Sequence, residues 1–363
     1  MKKKILILSN VDSGLYNFRR ELLEAFVANG HKVYCSLPFG DRVDDIKALG
    51  CECINTKVSR RGTNPLQDIS LMLFYLRLIG KIKPDIVLTY TIKPNIYGGM
   101  ACILKRVPYL TNVTGLGTAV QNGGLMQRFT LLLYKIGLLK SKTVFFQNIE
   151  NQRFFIGKRI VSGENVLLPG SGVNLERHPF EDYPKSEENI VLLTIGRIMK
   201  DKGTNEILEA AKVIKAEHPN VIFRFIGGHD GNCREALEKA VSEGIVEYVG
   251  RQKDVHSFIK ESHGTLHASY HEGMSNVLLE TAACGRPIIS TDVPGCRETY
   301  EDGVTGIAFK PRDVEDLIRA VNEFLSLSYQ QKMDMGKAGR EKIEREFSRT
   351  IIVDKYMKII EEL

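Results

Sequence analysis

Gly264-Thr-Leu-His-Ala-Ser269, His271-Glu-Gly-Met-Ser-Asn-Val-Leu-Leu-Glu280 and Gly285-Arg-Pro-Ile-Ile-Ser-Thr-Asp292 read in turn as a strand, a loop opening an apolar helix, and a helix stop followed by the next strand. The loop thus lies at the carboxyl end of a strand, where open α/β sheets bind their ligands. Gly273-Met274-Ser275-Asn276 opens the helix, and a helix start offers free N–H groups and partial positive charge, which suit a diphosphate. Glu272 and Glu280 are eight residues apart, about 12 Å of helical rise. They are spaced to hold hydroxyls at opposite ends of one ligand, a sugar at one and a ribose at the other. Two glutamates at this spacing occur by chance in many helices. The strand before the loop and the stop after the helix lift this pair above that reading.

Working outward, short apolar runs alternate with helical periodicity along the whole chain, the pattern of parallel sheets wrapped by helices. In the first half the pattern predicts strands at 4–9, 32–36, 85–90, 109–112, 143–147 and 166–168, and helices at 16–29, 66–82, 95–104 and 125–139. The second half predicts strands at 190–195, 221–226, 246–249, 265–268, 287–290 and 306–309, with helices such as 205–216, 233–243 and 276–284. Glu176–Glu188, polar and carrying Pro179 and Pro184, reads as a linker. The expected organisation is a unit over 1–175, the linker 176–188, a unit over 189–345, and a helical end over 346–363 that packs back on the first unit. At 363 residues there is enough chain for two such cores.

Charge is divided unevenly. Residues 1–175 hold 24 Lys and Arg against 11 Asp and Glu, or +13, while the remainder holds 26 against 33, or −7. A basic half suits an anionic surface or substrate; nucleic acid is not an expected partner. The seven cysteines form no Cys-x-x-Cys pair and no metal-ligand spacing with histidine, so free thiols in a reducing cytoplasm are expected. The apolar run of Lys4–Ser9 is too short for a signal peptide's core and reads as a buried strand. No apolar segment reaches the length of a membrane span.

Directly after the strand at 190–195 comes Gly196-Arg-Ile-Met-Lys-Asp-Lys-Gly203, a strand-to-helix turn with a glycine at each end and three cations. Such a turn can neutralise a diphosphate, with Arg197 and Lys202 as the chosen cations. Taken alone it reads better as a solvated turn, where basic residues are common; Glu272 and Glu280 in the same half make the diphosphate reading the stronger one. His267 and His271 flank the loop without metal-ligand company, and no Asp-x-Asp motif occupies a plausible metal position. No metal and no other cofactor is therefore expected, and Arg197, Lys202 and the helix start must carry the leaving-group charge.

With these motifs in place, the chain resembles the family 4 retaining glycosyltransferases of the GT-B fold. The resemblance rests on Gly196-Arg197…Lys202-Gly203, Glu272…Glu280, Gly170-Ser-Gly-Val-Asn174, and Thr281-Ala-Ala-Cys-Gly-Arg-Pro-Ile288. It implies an α/β protein of two Rossmann-like domains whose parallel sheets face a central cleft, and a nucleotide-activated sugar as donor. Arg197 and Lys202 would bind the diphosphate together with Gly196 and the N–H groups of Gly273, Met274, Ser275 and Asn276. Glu272 would contact the donor sugar and Glu280 the ribose. Within the family the first half resembles the branch that builds bacterial capsular polysaccharide and lipid-linked oligosaccharide, through Gly14-Leu-Tyr-Asn-Phe-Arg19, Ser59-Arg-Arg-Gly-Thr-Asn-Pro65, Thr91-Ile-Lys-Pro-Asn-Ile-Tyr-Gly98 and Val113-Thr-Gly-Leu-Gly117. Many relatives carry a histidine before the glycine of the last motif; here the position is Thr114, and no histidine role is transferred.

The resemblance places Gly14, in the loop after the first strand, against the donor phosphates. Arg19, Lys93, Asn95 and Thr114 are the acceptor-side candidates. Gly14 and Gly117 read equally well as turn glycines, and Arg19 as part of an exposed helical turn. The expected acceptor is a polyprenyl-diphosphate-linked sugar at the inner face of the cytoplasmic membrane, and the expected donor a UDP-sugar, carrying a hexose or an N-acetylhexosamine. Two rivals share the fold or the ligand: a non-hydrolysing UDP-sugar epimerase, and a catalytically silent nucleotide-sugar-binding subunit. The helix at 125–142 places Leu125, Phe129, Leu132, Leu133, Ile136 and Leu139 at helical spacing beside Arg128, Lys135 and Lys142. Such a stripe more often packs into a core; the +13 charge of the same half keeps an anionic membrane as the alternative.

Overall fold

In the structure, a computed structural model, residues 1–56, 64–115, 124–161, 163–185, 188–231 and 233–363 are described. They form two compact units, Met1–Ser171 with Thr350–Leu363, and Gly172–Arg349.

The first unit is built on a seven-stranded parallel sheet: β1 (Lys4–Leu8), β2 (Lys32–Leu37), β3 (Glu52–Asn55), β4 (Ile86–Tyr90), β5 (Tyr109–Val113), β6 (Thr143–Phe146) and β7 (Glu164–Leu167), in the order β3-β2-β1-β4-β5-β6-β7. β4 and β5 are buried along their whole length, including the polar Thr89, Thr111 and Asn112. The helix Asp12–Ala28 turns Leu15, Leu22, Leu23 and Phe26 onto one side of the sheet. The last helix, Arg349–Glu362, packs Ile352, Tyr356 and Ile360 into the same cluster. Chain-remote residues therefore complete this core.

The second unit holds a six-stranded parallel sheet: β8 (Ile190–Ile195), β9 (Val221–Ile226), β10 (Val246–Gly250), β11 (Gly264–His267), β12 (Ile288–Thr291) and β13 (Gly306–Phe309), in the order β10-β9-β8-β11-β12-β13. The chain adds strands to one side of β8 as far as β10, then crosses to the other side with β11. The order reverses between β8 and β11, and in the first unit between β1 and β4. A reversal leaves a crevice at the carboxyl ends of the strands, because the connections on either side run to opposite faces. The loops after β1, β4, β8 and β11 are the ones that line such crevices.

Three expectations need correction. The first helix begins at Asp12, four residues before the predicted start, so Gly14 lies in its first turn and not in the preceding loop. The predicted helix over 95–104 divides into a π-helical turn, Pro94–Gly98, and the α-helix Gly99–Lys105. The charged tail 330–363, helical in pattern throughout, is two helices, Tyr329–Glu346 and Arg349–Glu362, parted at Phe347 and Ser348, and only the second falls in the expected helical end. Here Val173 N–H donates to the Phe347 carbonyl (2.8 Å) and Arg349 N–H to the Val173 carbonyl (2.9 Å). Ser59–Thr63 and Leu116–Gly117, parts of two quoted motifs, lie outside the described residues.

Candidate active site

The loop after β8 is drawn onto the end of β11 by a glycine. Gly203 adopts φ +67°, and a Cβ there would run into the Ala268 carbonyl, so only glycine lets the two loops meet this closely. The contact continues as Tyr270 N–H donates to the Asp201 carbonyl at 3.0 Å. Between these points a single 3-10 turn, Lys200–Lys202, turns Lys202 toward the β11 loop. There its ammonium forms an ion pair with Glu272. His267, at the end of β11, places Nε2 3.2 Å from the same carboxylate oxygen and 3.3 Å from the Ser275 hydroxyl.

Glu272 is held from behind, its N–H donating to the Pro294 carbonyl at 3.2 Å. Its side chain is only 16% exposed. Burial opposes ionisation, yet the Lys202 charge, aided by His267, outweighs it and holds this carboxyl well below the usual carboxylate range. A fixed anion and a fixed cation thus lie in direct contact at the β8–β11 reversal.

The helix Asn276–Ala283 follows this loop, but its approach is more occupied than the sequence implied. Ser275 N–H donates to the Gly295 carbonyl at 2.7 Å, so it is not presented to a ligand. The Met274 side chain is 6% exposed and packs in an apolar cluster with Leu278, Val293 and Tyr300. At the far end, burial pushes the Glu280 carboxyl up to about 7, against the opposing charge of Arg349. Arg349 itself donates from Nη2 to the Gly172 carbonyl at 2.9 Å. Arg197, 48% exposed, pairs with Asp230 at 2.6 Å, and Gly196 beside it stands in open space at φ +154°.

In the first unit the candidates lie after β1, β4 and β5, and they differ sharply in what holds them. Arg19 is buried, its guanidinium 5.4 Å from the Tyr90 ring centre and its Nη1 donating to the Phe18 carbonyl at 2.7 Å. Asn95 is wholly buried and donates to the Asn112 carbonyl at 2.8 Å. These two therefore face inward. Lys93 pairs with Asp68 at 2.8 Å, with Tyr97 donating to the other oxygen of that carboxylate at 3.0 Å. Thr114 is partly exposed just past β5. Thr91 has φ +72°, a strained value for a β-branched residue. Strain of this kind gathers at functional sites.

Of the stripe on the helix Gly124–Leu138 and just beyond it, only Leu133 packs against a core, the cluster of Tyr134 and Leu138. Leu125, Met126, Phe129, Leu132, Ile136 and Leu139 are all exposed, Leu125 by 83%. Helical spacing alone cannot tell a face turned to a neighbour from one turned outward. Sequence reading also passed over Asp230, Arg349 and His267 as site groups. Only His267, the last residue of β11, gave a signal. Nor did spacing bring thiol and imidazole together, yet Cys284 Sγ lies 3.7 Å from His256 Nδ1.

Residues 177–342 match the family model for glycosyl transferases group 1, and residues 4–148 the glycosyl transferase 4-like model. The N,N'-diacetylbacillosaminyl-diphospho-undecaprenol alpha-1,3-N-acetylgalactosaminyltransferase of Campylobacter jejuni is 24% identical, across 99% of both chains. The capsular polysaccharide biosynthesis glycosyltransferase CapM of Staphylococcus aureus is 23% identical, over 85% of this chain and 84% of that one. Among solved structures, Anabaena HepE in complex with UDP-glucose superposes with a TM-score of 0.82 at 16% identity, over 99% of this chain and 100% of that one. The chain belongs to the GT-B glycosyltransferases, a 4-like domain followed by a group 1 domain.

Proposed function

We propose that the protein moves a sugar from a UDP-sugar, an N-acetylhexosamine being the favoured case, to a hydroxyl of a polyprenyl-diphosphate-linked glycan, with anomeric configuration retained. The observation that carries this reading is the Lys202–Glu272 ion pair, held by the two loops that flank the β8–β11 reversal. Lysine has three donors. One meets Glu272, and the others are available to diphosphate oxygens as the bond to the sugar breaks. Glu272, kept anionic, accepts from sugar hydroxyls and offsets positive charge developing at the anomeric carbon. Glu280 receives the ribose.

In the proposed reaction the acceptor hydroxyl approaches from the face the phosphate leaves. The anomeric carbon loses its bond to the phosphate oxygen and gains one to the acceptor oxygen, while the acceptor's proton passes to the departing phosphate. The acceptor and the N-acetylhexosamine are supported by the Campylobacter relative, whose name specifies a diphospho-undecaprenol-linked acceptor and an N-acetylgalactosaminyl group, and the UDP donor by HepE, solved in complex with UDP-glucose. Metal is not required for this step, so millimolar Mg²⁺ or Mn²⁺ added to metal-free protein leaves kcat unchanged; an activation would overturn that part. The deciding experiment incubates the protein with a panel of UDP-sugars, each with and without a lipid-linked acceptor. Product is expected only when both are present. Conversion of the donor alone would make the protein an epimerase, and UDP binding with no turnover on any pair a silent subunit.

A lipid-linked acceptor places the reaction at a membrane, yet no helix among the described residues is long and apolar enough to cross one. The exposed stripe from Leu125 to Leu139, with Arg128, Lys135 and Lys140 exposed on the same stretch, supports docking on an anionic lipid surface. Fully burying a Leu or Phe side chain gains about 1.5–3 kcal/mol. Phe129→Asp with Leu132→Asp should therefore lower partitioning onto phosphatidylglycerol vesicles by tenfold or more, read by flotation. Unchanged flotation, or equal binding to neutral vesicles, would remove this helix from the reading.

A further inference from the structure

We propose that His178, His256 and Cys284 form a structural site for a single borderline-soft divalent cation, best matched by Zn²⁺, on the second unit. Their ligand atoms lie within 4.8 Å of one another, the only such group found among the described residues. Tetrahedral zinc holds sulfur at about 2.3 Å and imidazole nitrogen at about 2.0–2.1 Å, which sets sulfur and nitrogen about 3.5 Å apart. Cys284 Sγ and His256 Nδ1 are 3.7 Å apart, so this edge of the tetrahedron is already in place. Closing the third ligand needs a movement of His178 of about an ångström, within the reach of an imidazole rotation. A thiol and two imidazoles select zinc over magnesium or calcium, which prefer oxygen.

The surroundings are those of a built site. His256 opens the helix His256–Glu261. Its Nε2 lies 2.9 Å from a Glu181 oxygen, and Lys260 holds the other oxygen of that carboxylate at 2.9 Å. A carboxylate on Nε2 keeps the proton there and leaves the Nδ1 lone pair aimed at Cys284, the arrangement in which a histidine ligand is oriented by an outer carboxylate. Cys284 is buried and ends the helix Asn276–Ala283; its carbonyl accepts from Glu181 N–H (3.3 Å) and Arg286 Nη1 (3.0 Å). His178 is fixed through its own backbone: its N–H donates to the Asn174 carbonyl at 3.0 Å and its carbonyl accepts from Arg340 at 2.9 Å. The His256 side chain is 24% exposed, giving an ion a path from solvent and a water as fourth ligand.

The site joins three separate segments: the stretch that opens the second unit, the start of the helix His256–Glu261, and the end of the helix that carries Glu280. Its role is to staple the back of that helix, away from Lys202 and Glu272 at its front.

The test uses the full chain freed of metal. One equivalent of Zn²⁺ should bind with 1:1 stoichiometry and raise Tm. One equivalent of Co²⁺ should give the strong visible absorption of a tetrahedral ion together with a thiolate-to-cobalt charge-transfer band. Cys284→Ser should abolish that band, and Glu181→Gln should weaken binding about 10–100-fold, the usual cost of losing an outer-shell carboxylate. The wild-type cobalt spectrum requires no variant to fold. Absence of stoichiometric binding, or a charge-transfer band that persists in Cys284→Ser, would overturn the proposal and leave a thiol–imidazole hydrogen bond in its place.

Discussion

Lys202→Ala should lower turnover by about 10²–10³, the cost of removing one preorganised charge partner from a departing anion. The lysine also answers Glu272, so the variant should lose stability as well. Taking one partner from a fully buried ion pair costs about 3–5 kcal/mol; the solvent at Lys202, 22% exposed, and Glu272, 16% exposed, reduces that figure. The two consequences separate in a double variant. Glu272→Gln removes the stranded charge, so Lys202→Ala with Glu272→Gln should recover most of the lost Tm and none of the lost turnover. A wild-type rate in Lys202→Ala would remove the lysine from the proposed mechanism. Recovery of turnover in the double variant would reduce its role to neutralising Glu272.

Glu280→Gln should raise the donor KM about tenfold or more at pH 8 and leave kcat nearly unchanged, because a hydrogen bond to a charged group contributes about 1.5–3 kcal/mol and the ribose does not react. The effect depends on pH. With its carboxyl at about 7, wild-type Glu280 is ionised at pH 8 and mostly protonated at pH 6. Its advantage over glutamine should therefore fade as pH drops through 7, and the two donor KM profiles should converge. Stability runs the other way. A carboxyl raised above its ordinary value favours the folded state below that ordinary value, and the benefit is lost as pH rises through about 7. Glu280→Gln should accordingly raise Tm at pH 8 and not at pH 4. Parallel KM profiles, or a kcat loss at constant KM, would give Glu280 a different role from ribose anchor.

Much of this was legible in the sequence, and what was not has definite physical causes. β8 and β13 end where their apolar runs end, because buried parallel strands are mostly apolar on both faces. β3 escaped notice: Glu52-Cys-Ile-Asn55 is a four-residue edge strand with exposed ends, too short for periodicity to register. Val43–Ala48, two turns long, escaped for the same reason. The motif Gly196…Gly203 falls on the loop after β8, and the ion pair that its Lys202 makes with Glu272 follows from the β8–β11 adjacency. The pairing of Arg197 with Asp230 and the inward turn of Arg19 depend on contacts between segments far apart in the chain, which no local pattern encodes.

The last helix bears on the order in which this protein is made. Tyr356 lies against Phe145, ring centres 4.5 Å apart, and donates to Asn112, in a core otherwise built from the first half of the chain. Close to 180 residues separate Ser171 from Thr350. At about 5–20 residues per second, the nascent first unit waits roughly 9–36 s for the helix that fills its core. The second unit is complete before that helix is made. The unit begun first is thus finished last, and in the interval the apolar face that Ile352, Tyr356 and Ile360 will cover stands open to association with other chains.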